Sequence, residues 1–200
     1  MKTKITLLFI SSLLCFIGCK NESSTKSTTD SDGNKAIEGL IKTNSNAANN
    51  IKQGLSKGND GETIANWFPE KLLDYRLDRS KNDIGQDEES RARVVYVHPN
   101  DPSKNITITV WDGNGPLALF VNNMIAVGLD ETKEEDNPEL HQKVYVRKGR
   151  KSAERILHQY DQVDIKFEVE GRFFATARSN KNTIETVWEA LDLLDFDALK

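Results

Sequence analysis

Val163-Asp164-Ile165-Lys166-Phe167-Glu168-Val169-Glu170-Gly171-Arg172-Phe173 is the stretch from which the fold is read. Ile165, Phe167 and Val169 alternate strictly with Lys166, Glu168 and Glu170. A two-residue period sends successive side chains to opposite faces of a strand. Gly171 supplies the turn into a second strand, Arg172 to Arg178. Working back from there, Leu140 to Lys148 reads as a strand, Gly149 as a turn and Lys151 to His158 as a further strand. Earlier still, Arg91 to His98 is rich in Val and Tyr and stops at Pro99. Asn100-Asp101-Pro102 has turn chemistry, after which Ile106, Ile108 and Val110 alternate with Thr107, Thr109 and Trp111, giving an antiparallel hairpin with one buried face. Leu117, Phe120, Val121, Met124 and Ile125 fall at helical spacing between Pro116 and Gly128, with Phe120 and Met124 read as core. Ile184, Val187, Trp188, Leu191 and Leu194 form the stripe of a closing helix, with Asn182 as its cap and Glu185 placed for a capping box. The expectation is an α+β domain over residues 61–200: an antiparallel sheet of five or six strands packed with an internal helix at about 116–127 and a C-terminal helix at about 183–194. Ahead of the strands, Glu62 to Phe68 reads as a short helix ending before Pro69, and Leu72 to Leu77 as a first extended segment.

The other end of the chain is organised differently. Lys2-Thr3-Lys4 precedes an apolar run of 13 residues, Ile5 to Ile17, and Gly18-Cys19 follows. A positive segment, a short apolar segment and a small residue before a cleavage point are the marks of a secretory signal. The run is shorter than the roughly 20 apolar residues a membrane-crossing helix needs. Phe16-Ile17-Gly18-Cys19 resembles the lipobox of bacterial lipoproteins, with Phe16 standing where an aliphatic residue is commonest. The resemblance implies cleavage after residue 18, a diacylglycerol on the Cys19 sulfur, a further acyl chain on its new amino group, and a stable membrane anchor. Outer membrane is the expected location, on either side, because Lys20 is not an acidic retention signal.

With residues 1–18 removed, 25 basic residues stand against 31 acidic ones, a net charge of −6. An acidic body argues against a nucleic-acid partner, since that binding neutralises phosphates with Lys and Arg. Both cysteines, Cys15 and Cys19, lie at the signal, so thiol catalysis, cysteine metal sites and disulfides are excluded from the domain. Residues 19–35 are the lipidated Cys and a polar Ser/Thr-rich tether without apolar periodicity. In residues 36–60, Ile37, Leu40, Ile41, Ala47, Ala48, Ile51 and Leu55 recur near helical spacing, which reads either as an amphipathic helix or as an extension of the tether.

Trp67-Phe68-Pro69-Glu70-Lys71-Leu72-Leu73-Asp74-Tyr75, Ile106 to Asp112, Glu168-Val169-Glu170-Gly171-Arg172-Phe173 and the ending Asp195-Phe196-Asp197-Ala198-Leu199 resemble a group of small uncharacterised α+β envelope proteins and lipoproteins of bacteria. That resemblance implies a fold and carries no activity. A looser similarity to PsbP-like α-β-α sandwiches gives an alternative description of the same architecture.

No catalytic, metal or cofactor residue is assigned. His98, His141 and His158 are the only imidazoles, none paired at ligand spacing, and they read as solvated or edge residues. No Gly-x-Ser-x-Gly elbow occurs, and Gly113-Asn114-Gly115 lacks the remainder of a phosphate-binding loop. Asp130 to Glu139 gathers six carboxylates around Lys133 but lacks the ligand alternation of a calcium loop, so it reads as a solvated link. Asp192, Asp195 and Asp197 read as surface residues around the closing helix. Arg147, Lys148, Arg150 and Lys151 surround a turn and make a candidate patch for an anion or a partner, or a charged hairpin tip that protects a sheet edge. The functional expectation is a non-enzymatic, lipid-anchored envelope protein with a binding or assembly role, its partner an envelope protein or a glycan. The alternatives are a glycan- or small-ligand-binding lipoprotein, marked by a pocket with exposed Trp or Tyr, and a hydrolase, marked by histidine and carboxylates converging in a cleft.

Overall fold

The structure, a computed structural model, describes residues 58–85, 90–114, 117–129 and 133–200. The signal, Cys19, the tether and nearly all of the 36–60 stripe lie outside the described residues.

The Asp60 carboxylate caps α1 (Gly61–Trp67) by accepting a 2.6 Å bond from the Thr63 N–H, and the helix ends at extended Phe68 before Pro69. Two short strands, β1 (Lys71–Leu72) and β2 (Tyr75–Leu77), pair across a tight turn. A 3-10 turn at Arg79–Lys81 leads to β3 (Asp83–Ile84). The long hairpin β4 (Arg91–His98) and β5 (Asp101–Asp112) follows, then α2 (Ala118–Leu129) and a short strand β6 (Glu134–Asp136). The strands β7 (Leu140–Arg147), β8 (Arg150–Leu157), β9 (Gln162–Val169) and β10 (Phe173–Asn180) complete the sheet. The chain closes with α3 (Ile184–Asp192) and a 3-10 turn at Phe196–Leu199.

All pairings are antiparallel, in the order β1-β2-β4-β5-β10-β9-β8-β7-β6, with β3 beside β4. The last strand, β10, is therefore inserted between the two sequential meanders and joins them. The mixed α+β class is as expected, but the sheet has ten strands among the described residues instead of five or six. The six expected strands are all present as β4, β5, β7, β8, β9 and β10. The additional ones, β1, β2, β3 and β6, are two or three residues long, too short to carry a two-residue period.

Smaller departures have local causes. Asp101 and Pro102 belong to β5 and not to the turn, because His98 pairs with Asp101 while Val97 pairs with Asn105, leaving residues 102–104 as a bulge. Part of the acidic link becomes edge strand β6, where Glu134 lies opposite Lys143 with 3.6 Å between the charges. The cap of α3 is Thr183, whose side chain accepts from the Thr186 N–H. Asn182 is engaged elsewhere, donating to Ser179 Oγ at 2.7 Å and accepting from the Tyr75 hydroxyl. Phe120 is 45% exposed, not core, although its ring lies near that of Trp111.

One face of the sheet carries the main core. Val94, Ile108, Ala177 and Ile165 form a continuous cross-strand row, and α1 and α3 cover it with Ile64, Phe68, Val187 and Leu191. Phe196 from the closing turn meets Phe167 and Phe173 at 5.8 Å between ring centroids. Such pairs add about 0.5–1.5 kcal/mol beyond area burial. On the opposite face α2 sets Val121 and Met124 against Trp111 and Phe174. At the end of β5 Asp112, fully buried, accepts from Arg172 Nε and Nη2 at 2.9 and 2.7 Å, from the Asn59 backbone and side chain, and from the Asn114 N–H.

Candidate functional site

The face that α2 covers is only half covered. Cross-strand register arranges it in rows. Trp111 and Phe174 lie opposite one another beneath α2. One step along the strands the row reads Arg93, Thr109, Thr176, Lys166 and Ala153, and one step further Val95, Thr107, Arg178, Asp164 and Arg155. Apart from Val95 and Ala153, these two rows line an open groove of about 330 Å³. A smaller recess of about 120 Å³ continues past Arg155 and Lys166 to Gly128 near the end of α2.

The groove has three threonines on its floor and four cations, Arg93, Arg155, Lys166 and Arg178, against a single carboxylate, Asp164. Asp164 is 8% exposed. It accepts from Arg155 Nη2 at 2.6 Å, from Arg178 Nε at 2.8 Å and from Gln162 Nε2 at 3.2 Å. Burial pushes its carboxyl upward, but the hydrogen bonds and charges of Arg178 and Arg155 outweigh that and hold it below the usual range. Asp164 is thus a fixed anion that orients two guanidinium groups. Arg178 engages it through Nε alone, so its terminal nitrogens point to no other protein partner among the described residues. Arg93 and Lys166 are exposed, and Arg93 stands opposite Asp83 on β3, whose carboxyl is held low chiefly by Arg91 and also by Arg93. The arrangement is a local excess of positive charge with hydroxyls between the charges, set on an acidic chain.

The basic turn predicted from sequence lies elsewhere, at the β7–β8 hairpin tip. Arg147 makes a bidentate pair with Asp192 at 2.8 Å for both bonds, Lys148 reaches the same carboxylate at 2.9 Å, and the Arg147 guanidinium lies 4.2 Å from the Trp188 ring centroid. Those contacts raise the Arg147 pKa and lower that of Asp192. Arg150 lies over the rings of Phe167 and Phe196. The Lys151 backbone N–H donates to Glu168 at 3.4 Å. Two of the four cations therefore fasten the hairpin to α3.

His158, exposed in the 3-10 turn that follows β8, donates its backbone N–H to the Glu139 carbonyl at 3.1 Å on the same pair of strands as His141, whereas His98 lies far from both. His98 packs edge-on to Tyr75, while His141 is on β7, five strand spacings away, or roughly 24 Å. His141 stands between Asp136 and Glu154 at 3.6 and 3.7 Å, beyond hydrogen-bond reach, on the α3 side of the sheet. Glu154 is held by Tyr145 Oη at 2.8 Å and Trp188 Nε1 at 3.0 Å, and burial followed by this bond pushes the Tyr145 hydroxyl up to about 12. No group of three or more His, Cys, Asp or Glu residues fit to hold a metal occurs among the described residues.

The groove residues escape sequence reading because each is a polar member of an alternating strand. The one signal available was chemical: Thr107, Thr109, Thr176 and Arg178 share their strands' outward period with Lys166. No protein-family model matches the chain, and no curated protein matches it.

Proposed function

We propose that this chain is a lipoprotein of the bacterial cell envelope, anchored through lipid on Cys19 in the outer membrane, whose α+β domain binds a ligand or partner without transforming it. The anchor rests on Lys2-Thr3-Lys4, the apolar run Ile5 to Ile17 and Gly18-Cys19. Among the described residues no helix is long and apolar enough to cross a membrane. The observation that carries the binding role is the groove: a polar, cationic concavity left open beside α2 on an acidic domain. Its carboxylate, saturated by Arg155, Arg178 and Gln162, is suited to positioning charge and not to exchanging protons near neutral pH. The layering of α1 and α3 on one face and α2 on the other supports the PsbP-like α-β-α description.

Replacement Cys19→Ala tests the anchor. The expected result is loss of lipid from the N-terminal peptide by mass spectrometry and release or mislocalisation of the protein, with the circular dichroism and melting of the domain unchanged. Because the variant also loses its cleavage point, it is either released or mislocalised with its signal uncleaved, and a wild-type N-terminal peptide that carries no lipid on Cys19 refutes the anchor. Crosslinking in intact cells, read by mass spectrometry for wild type against Cys19→Ala, tests whether an envelope partner depends on it.

A further inference from the structure

We infer that the groove is a site for an anionic saccharide, its oxyanion held among Arg93, Lys166 and Arg178 and its hydroxyls by Thr107, Thr109 and Thr176. The inference rests on the binding role proposed above and names its ligand class. Lys166 and Arg178 are diagonal neighbours on paired strands, roughly 7–8 Å apart at the backbone. Arg93 faces them across β5 and β10. All three line the same groove, Arg93 on one side of the threonine floor and Lys166 and Arg178 on the other, about three strand spacings or roughly 14 Å across, so an oxyanion bound there meets charge-assisted donors. Asp164 does not compete for them all, because it takes only Nε of Arg178 and contacts neither Arg93 nor Lys166.

The rest of the lining narrows the class. Hydroxyls that both donate and accept, repeated on neighbouring strands, suit a polyol better than a bare inorganic ion. The volume, about 330 Å³, is at the small end of the range for small-molecule sites and fits one or two sugar rings. Among the lining residues none is aromatic, so neither a nucleobase nor a neutral sugar face has a ring to stack on.

The test is isothermal titration of the full chain with trigalacturonate, glucose 6-phosphate, inorganic phosphate and maltotriose, repeated at raised salt. One or both of the charged sugars should bind, with affinity falling as salt rises, and which of them binds separates a carboxylate from a phosphate source. Arg93→Gln/Lys166→Gln, both at exposed positions, should weaken that binding by about tenfold or more, the loss of two charge-assisted contacts. Thr107→Val/Thr176→Val should weaken the sugar and leave inorganic phosphate unchanged. Equal binding of inorganic phosphate and glucose 6-phosphate would overturn the saccharide assignment, as would binding of maltotriose. Undiminished binding by the Arg93/Lys166 variant would overturn the location. If neither charged sugar binds, the ligand class fails. A photo-crosslinker at Lys166 then separates the two levels, since capture of an envelope protein in cells preserves the binding face and absence of capture removes it too.

Discussion

Asp112→Ala should cost more stability than any other single change at a polar side chain in the domain. The carboxylate is fully buried, and its loss would leave Arg172 without its bidentate partner and the Asn59 and Asn114 N–H groups without their acceptor. Removing one member of a buried ion pair costs about 3–5 kcal/mol. Arg172 is 22% exposed at its side chain and can recover some hydration, which places the expected loss near the lower end, about 3 kcal/mol. At roughly 3 °C per kcal/mol for a domain of this size, the melting temperature should fall by about 10 °C. Urea denaturation should show a lower midpoint at an unchanged slope.

The control is the pair. Arg172→Met removes the cation but leaves Asp112 its bonds from Asn59 and Asn114, and the double variant lacks both charges. If the buried charge is the cause, Asp112→Ala/Arg172→Met should be less damaged than the sum of the singles by about 1–3 kcal/mol. Additive losses would show that the pair is uncoupled. A loss below about 1 kcal/mol for Asp112→Ala would refute the reasoning outright, because it would mean that water reaches the site freely.

Two further outcomes are expected. Asp164 has a folded pKa below its ordinary value, so its contribution to stability is present above pH of about 4 and is lost as pH falls through the folded value. The urea midpoint of the wild type should therefore drop more between pH 6 and pH 3 than that of Asp164→Asn, and equal drops would count against the assignment. Asp192→Ala should free Arg147 and Lys148 from their shared carboxylate, with a loss of about 1 kcal/mol for partly exposed pairs that weakens in high salt. Protease cutting at the Lys148-Gly149 tip should also speed up, and an unchanged cutting rate would show that the clamp does not hold the hairpin.

Most of the long strands were legible because one face is apolar: Ile106, Ile108 and Val110 in β5, and Ile165, Phe167 and Val169 in β9, declare their period, whereas β8 alternates charged and apolar residues on both faces. The two helices were legible from their stripes, although Phe120 misled because it is an apolar residue on a helix that has apolar residues on every side. The two-residue strands carry no period to read. Register was also out of reach, since Thr107, Lys166 and Arg178 look alike as outward polar residues until β10 is known to lie between β5 and β9. The basic turn was visible as a run of cations, but its carboxylate lies 45 residues further along the chain.

The position of the groove follows from where polarity changes along the strands. Reading β5 backward gives Trp111, Thr109, Thr107, and reading β10 forward gives Phe174, Thr176, Arg178. Both strands change from aromatic to polar at the same register step. An apolar helix can cover the aromatic pair, and α2, which has no charged residue from Ala118 to Leu129, does so with Val121 and Met124. It gains nothing by extending over threonines and arginines, whose burial without partners would cost more than it returns. The boundary of α2 and the opening of the groove thus have one cause, the simultaneous change of chemistry on two paired strands. It follows that converting the floor to apolar residues, as in Thr107→Val/Thr176→Val, changes what the groove can bind while leaving the opposite face, where Ile108 and Ala177 hold the core, untouched.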